Sequence, residues 1–185
     1  MINATGDADY DIVQAAVRAS QLQSTTLIGE DTDLLILLLH HFAEGGNRDL
    51  YFRSDKTQDQ SRVYHINRLK SLLGSQASTM MLFVHDFTGC DTTSRIFGVG
   101  KKSLFQKVMK GDAGLRSCAQ AFATPGQSTD AIVEIGYKAM VQVFGGKGTD
   151  TLTSLRHSIL TKKVVSAVSF VTTERLPPTE AATKA

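Results

Sequence analysis

Five aspartates and a glycine-rich basic turn are the residues in this chain whose types and spacing could do chemistry. Asp7-Ala8-Asp9 opens an apolar-periodic segment, with Asp11 two residues on. Glu30-Asp31-Thr32-Asp33 joins a β-branched run to a leucine-rich one. Gly89-Cys90-Asp91 is followed by Gly98-Val99-Gly100-Lys101-Lys102. The carboxylates at 30–33 repel one another, and a hard divalent cation would relieve the repulsion, so Asp31 and Asp33 are candidate ligands for Mg²⁺ or Mn²⁺. A Gly-x-Gly turn opening a basic helix offers backbone N–H groups and lysines to a phosphate. Each motif also has a plainer reading. Asp7 and Asp31 are good helix caps. Asp91 can cap a turn, and Lys101, Lys102 and Lys107 can be solvated surface.

Two better-known motifs are excluded. An EF-hand loop starting at Asp7 would need Gly at its sixth position and Glu at its twelfth; Ile12 and Arg18 stand there. A Walker loop needs Gly directly before its Lys-Ser pair; Lys101 precedes Lys102-Ser103. His40 and His41 close an apolar helix, and no Cys or His lies at zinc spacing.

The elements that must position these residues follow from periodicity. Ile12, Val13, Ala16 and Val17 share one helical face over 7–22. Residues 24–29 form a short buried strand, and 31–46 a helix stopped by Gly45-Gly46. Strands at 49–54 and 62–66 flank a polar loop, and helices at 66–74 and 78–87 follow. Beyond Gly100 the pattern is helical: 101–111, 112–124, 128–146 and 150–163. The tail from Glu174, with Pro177-Pro178, reads as extended.

Composition sets outer bounds. The chain has 185 residues, 42% hydrophobic, enough for one domain with a tail. Net charge is +2, so no global charge argument for nucleic acid exists, but the local distribution is uneven. Residues 1–40 carry six acids and one base; residues 95–110 carry five bases (Arg95, Lys101, Lys102, Lys107, Lys110) and no acid. Cys90 and Cys118 have no C-x-x-C partner and read as free thiols of a reducing compartment. The polar N-terminus lacks the apolar core of a signal peptide, and the longest unbroken apolar run, Leu34 to Leu39, is too short for a membrane span. The expectation is an intracellular, cytoplasmic or nuclear protein with no membrane contact.

In order, the motifs resemble the flap endonuclease and XPG branch of the PIN-like 5′ nucleases. That family shows E-A-E on a helix, E-D-x-D after a strand, then G-C-D or G-S-D leading into G-I-G-P-K. Asp7 to Asp9, Glu30 to Asp33, Gly89 to Asp91 and Gly98 to Gly100 match these in turn, over roughly residues 6–110. Lys101 stands where the family has Pro. Residues 85–103 and the tail are also similar to uncharacterised, mobile-element-like invertebrate proteins.

The resemblance implies an α/β fold: a partial PIN-like, Rossmann-like sheet with helices over 6–90, a helical region with a helix-two-turn-helix element over 91–163, and an extended tail over 164–185. It implies that Asp7, Asp9, Asp31, Asp33 and Asp91 hold two Mg²⁺ or Mn²⁺ ions. Gly98, Gly100, Lys101, Lys102 and Lys107 would then grip nucleic acid, DNA ahead of RNA, with K⁺ at the turn. The family's first strand and the helix after it precede the E-A-E helix, so the chain reads as the C-terminal part of such a domain, with an open sheet edge that invites a protein partner. Three functions stand in order: a metal-dependent structure-specific nuclease, weakened by the missing acids; a non-catalytic nucleic-acid-binding or scaffold module of the same descent; and another carboxylate-based polynucleotidyl transferase.

Overall fold

The computed structural model describes residues 7–43, 48–55, 62–90, 95–166 and 171–184. Asp91 lies outside them. The fold is mixed α/β and mostly helical, in two compact units, Met1–His85 and Asp86–Ala185.

The first unit carries the sheet. Helix α1 (Ala8–Ser20) starts where the Asp7 carboxylate accepts the Asp9 N–H at 2.9 Å. It buries Val13, Ala16, Val17 and Ser20, one stripe at three- and four-residue spacing. Strand β1 (Thr25–Ile28) leads through Gly29 into α2 (Thr32–His41) and on to β2 (Leu50–Arg53), which pairs parallel with β1. Strand β3 (Val63–His65) returns antiparallel on β2, giving the order β1-β2-β3. β2 is central and alternates, with Leu50 and Phe52 buried and Arg53 exposed. Leu34, Leu38, Leu39 and Phe42 of the α2 segment join these residues, Val13 and Ile66 in one core. Each fully buried aliphatic side chain there contributes about 1.5–3 kcal/mol.

Polar side chains close the frame of this unit. Asn67 of α3 (Ile66–Leu73) accepts the Leu50 N–H at 2.9 Å and donates to the Arg48 carbonyl, fixing the start of β2. Lys70, 7% exposed, turns its ammonium onto the Phe42 and His40 carbonyls at the end of α2. Helix α4 (Ser75–Phe87) buries Ala77, Met80, Phe83 and Val84. Among the described residues β1 lies at one edge of the sheet, and Ile28 on it is half-exposed.

The second unit is built from helices: α5 (Lys101–Met109), α6 (Ala113–Phe122), α7 (Thr129–Val143) and α8 (Leu152–Ser166). Asp112 and Ser128 cap α6 and α7 through the Leu115 and Ala131 N–H groups. Arg116 donates to the Val108 and Met109 carbonyls and closes the end of α5. Leu104, Val108, Leu115, Ala119, Ala139 and Leu152 are buried.

The tail differs from expectation. It is not extended throughout. Residues Thr173–Arg175 make a 3₁₀ turn, Glu180–Lys184 form α9, and Leu176 is buried. The Tyr137 hydroxyl accepts the Leu152 N–H at 2.9 Å and donates to Glu180, tying α7, α8 and α9 together. The two prolines lie between the 3₁₀ turn and α9: Pro177 is itself fully buried, and Arg156 donates to its carbonyl. α8 also runs three residues past the expected boundary at 163.

Among the described residues no helix is long and apolar enough to cross a membrane.

Candidate functional sites

The acidic motif of the first unit sits at the carboxyl end of β1. Gly29 is the hinge of that junction. A Cβ there would stand 2.6 Å from Leu34 Cδ1, so any larger residue would have to displace that leucine methyl. Its N–H donates to the Arg53 carbonyl at 3.1 Å, extending the β1–β2 pairing by one bond. Glu30 is exposed. Asp31 caps α2, accepting the Asp33 N–H at 2.9 Å. One capping acid accounts for only half of the D-x-D pair. The second has its own partner: Asp33 Oδ1 lies 2.9 Å from His85 Nε2 of α4. His85 is 5% exposed and Asp33 18%, so the contact is shielded from water.

Asp7 repeats the capping role on α1, and Asp9 and Asp11 lie in its first turn, where acids favour the helix dipole. Among the described residues, no three carboxylates bring one oxygen each within 4.8 Å of one another. Asp7, Asp9, Asp31 and Asp33 alone therefore do not assemble the multi-carboxylate cradle that a pair of hard cations needs. Thiol chemistry finds no support at Cys118 either, where burial raises the pKa and keeps the thiol protonated.

The second unit presents the opposite charge. A cavity of about 1050 Å³ is lined by Arg95, Lys107, Lys163 and Arg175, by the turn Phe97-Gly98-Val99, and by Val143, Phe144 and Gly145. Among the described residues no carboxylate lines it. Gly98 has φ +79°, a left-handed conformation that glycine adopts without strain, and the Val99 N–H closes the turn on the Ile96 carbonyl. Gly100 is the N-cap of α5 and has no side chain to accept from the first-turn amides.

Gly89 of the Gly-Cys-Asp motif supports this wall. Its φ is +99°, and a Cβ there would meet the Arg95 backbone, 2.7 Å from Cα. The chain returns against Gly89 at Arg95, and that return fixes where the arginine emerges.

Of the predicted nucleic-acid residues, Gly98 and Lys107 line the cavity. Gly100, Lys101 and Lys102 are exposed outside its lining. Lys107 has a structural duty as well, donating to the Gln142 and Val143 carbonyls at the end of α7 at 2.8 and 3.3 Å. Sequence reasoning missed Lys163, Arg175, Phe97 and Phe144. The first two stand far from the glycine turn in sequence, on a helix and a tail that gave no motif. Phe97 had a signal: a large aromatic one residue before a left-handed glycine in a basic segment.

Comparison of the chain with protein-family models, curated proteins and solved structures finds no match in any of the three.

Proposed function

We propose that this chain binds nucleic acid through the basic cavity of its second unit, and that it is a PIN-like nuclease relative of the flap endonuclease and XPG type with little or no metal-dependent cleavage of its own. One observation carries the binding half: Arg95, Lys107, Lys163 and Arg175 line one cavity with no acid among its described lining residues, although the whole chain is nearly neutral. Uncompensated positive charge in a concave, partly desolvated surface attracts phosphates, and the field of the cavity focuses that attraction. The motif order over 7–100 supports the ancestry.

The weak-cleavage half follows from the acids. In-line displacement at phosphorus needs two cations clamped by several carboxylates. Asp31 is used as a cap and Asp33 faces His85, while Asp7 caps a different helix. Any Mg²⁺ or Mn²⁺ bound near β1 would draw on Asp31 and Asp33.

The test is a salt titration of binding to fluorescein-labelled oligonucleotides, with a Mg²⁺ cleavage assay on the same samples. Replacing Arg95, Lys163 and Arg175 together with Ala should weaken binding and lower the log–log salt slope by about one unit for each phosphate no longer neutralised. An unchanged affinity and slope would remove the cavity from the reading. Multiple-turnover cutting abolished by Asp31→Ala would overturn the claim of weak cleavage.

A further inference from the structure

Beside the basic cavity lies a second one of about 430 Å³, and the two share Arg95, Phe97 and Phe144. Their chemistry differs. The smaller cavity is walled by Ile96, Met140, Leu176, Pro178 and Ala182, with Glu174 and Arg156 among its polar residues. Phe97, which lines both cavities, is 53% exposed. Exposed apolar side chains scattered singly are ordinary on any protein surface. This one is placed where a basic channel meets an apolar recess, within reach of the chain turn that carries Arg95.

We infer that this junction holds a single strand of nucleic acid, its phosphates against Arg95, Lys163 and Arg175 and one unpaired base stacked on Phe97 at the mouth of the smaller cavity. The inference rests on the nucleic-acid reading above and narrows it to unpaired substrate. Charge decides which part of the strand goes where. In the smaller cavity Glu174 offsets part of the charge of Arg95 and Arg156, whereas the larger one carries four bases and, among the described residues, no acid, so phosphates favour the larger one. A base suits the smaller cavity, because its faces are apolar and its edges can use Glu174 and Arg156. In a duplex that base would first have to leave its stack, at a cost of a few kcal/mol. A single strand has already lost most of that stacking and pairing. Aromatic platforms beside a positive groove bind single strands with little sequence preference, because every base has a π-face.

The test compares the full chain binding a labelled oligothymidylate and a blunt duplex of equal length, by fluorescence anisotropy over a range of salt. The single strand should bind more tightly. Phe97→Ala should weaken single-strand binding about tenfold, the effect of losing one stacked base, and leave the salt slope unchanged. Phe97→Tyr should bind like the parent. Lys163→Ala should do the reverse of Phe97→Ala, lowering the slope by about 0.7, the single-strand value for one phosphate. Because Phe97 is half in water, its removal should not shift the melting temperature. If it does, Phe97→Leu, which keeps apolar bulk without an aromatic face, serves in its place and should show the same loss. Duplex binding as tight as the single strand's, or parent-like affinity in Phe97→Ala or its Leu substitute, overturns this inference and leaves general nucleic-acid binding standing. Failure of both oligonucleotides to bind overturns both.

Discussion

The two units differ in where they leave charge free of the frame. In the first, charged side chains are tied to the frame: Asp7 and Asp31 on helix starts, Lys70 on the end of α2, Asp33 on His85. In the second, Arg116, Arg156 and Asp112 are tied to it in the same way, but Arg95, Lys163 and Arg175 face a cavity. Lys107 does both, holding the end of α7 from the cavity wall. A charge committed to a backbone carbonyl or a buried partner stabilises the fold and is poorly placed to meet a ligand. A charge left facing a concave surface is the converse. Substitutions should therefore separate by unit. Those in the first should lower stability; those of the cavity-facing charges in the second should lower affinity at little cost to the fold.

The largest stability effect is expected at Lys70. Lys70→Met keeps the buried stem and removes the ammonium, leaving the Phe42 and His40 carbonyls without its hydrogen bonds. Charge-assisted bonds of this kind are each worth about 1.5–3 kcal/mol, so urea unfolding should show a loss of about 3 kcal/mol. A loss below about 1 kcal/mol would mean that water replaces the ammonium readily and that the inward-facing charges of this unit matter little.

Gly89→Ala sharpens the comparison from the other side, because it alters the second unit's cavity through the backbone. The added Cβ meets the Arg95 backbone at 2.7 Å and sits at φ +99°. Strain and overlap together should cost about 2–4 kcal/mol. Affinity for nucleic acid should fall with it, since Arg95 must shift. Arg95→Ala should reduce affinity with stability held within about 0.5 kcal/mol, as for exposed positions in general. Equal stability losses in the two variants would deny Gly89 its role as a support.

Asp31→Ala should have a smaller effect, about 1 kcal/mol, the worth of an N-cap. Asp31→Asn, which still caps, should restore it. The same pair of variants separates capping from metal binding. If Asp31 also holds a cation, Mg²⁺ will raise the melting temperature of the parent by binding linkage and not that of Asp31→Asn.

The order of elements was legible in the sequence because each signal is local. The cap at Asp31, the apolar stripe of α1 and the glycine stop after Met109 all act within a few residues. The tail was misread for a reason of the same kind in reverse. Pro177 and Pro178 forbid a regular helix locally, yet Leu176 and Pro177 are buried by contacts from distant segments, which no local pattern encodes. The candidate sites divide likewise. The glycine turn and Arg95 were visible as a basic cluster. Lys163 and Arg175 reach the same cavity from points more than fifty residues downstream. Asp33 was read as a candidate cation ligand; that His85 lies against it is again a matter of tertiary contact that no local pattern encodes.

The smallest expected effect is a pH dependence confined to the first unit. His40 and His41 close α2 with their rings 4.8 Å apart, and Tyr10 of α1 stands 5.3 Å from His41. Burial lowers the pKa of both below 6.5, and the Lys70 ammonium lowers both further; His41 adds to the effect on His40. The sign follows from which state takes up protons first. In the unfolded chain both histidines protonate near 6.5; in the folded chain they resist until lower pH. As pH falls through 6.5 the unfolded state is favoured, and the loss ends once pH drops below the folded values. Melting temperature should therefore decline as pH falls through 6.5 and less steeply once it is below the lowered folded values. His40→Gln with His41→Gln should flatten the decline. Lys70→Met should flatten it in part, because removing the ammonium lets the folded histidines protonate more readily. Both rings are partly exposed, so the shift should be small, well below the effect of Lys70→Met itself. A decline of the same steepness in the double variant would place the titrating groups elsewhere and leave the inward-facing charges of this unit without a role in its acid response.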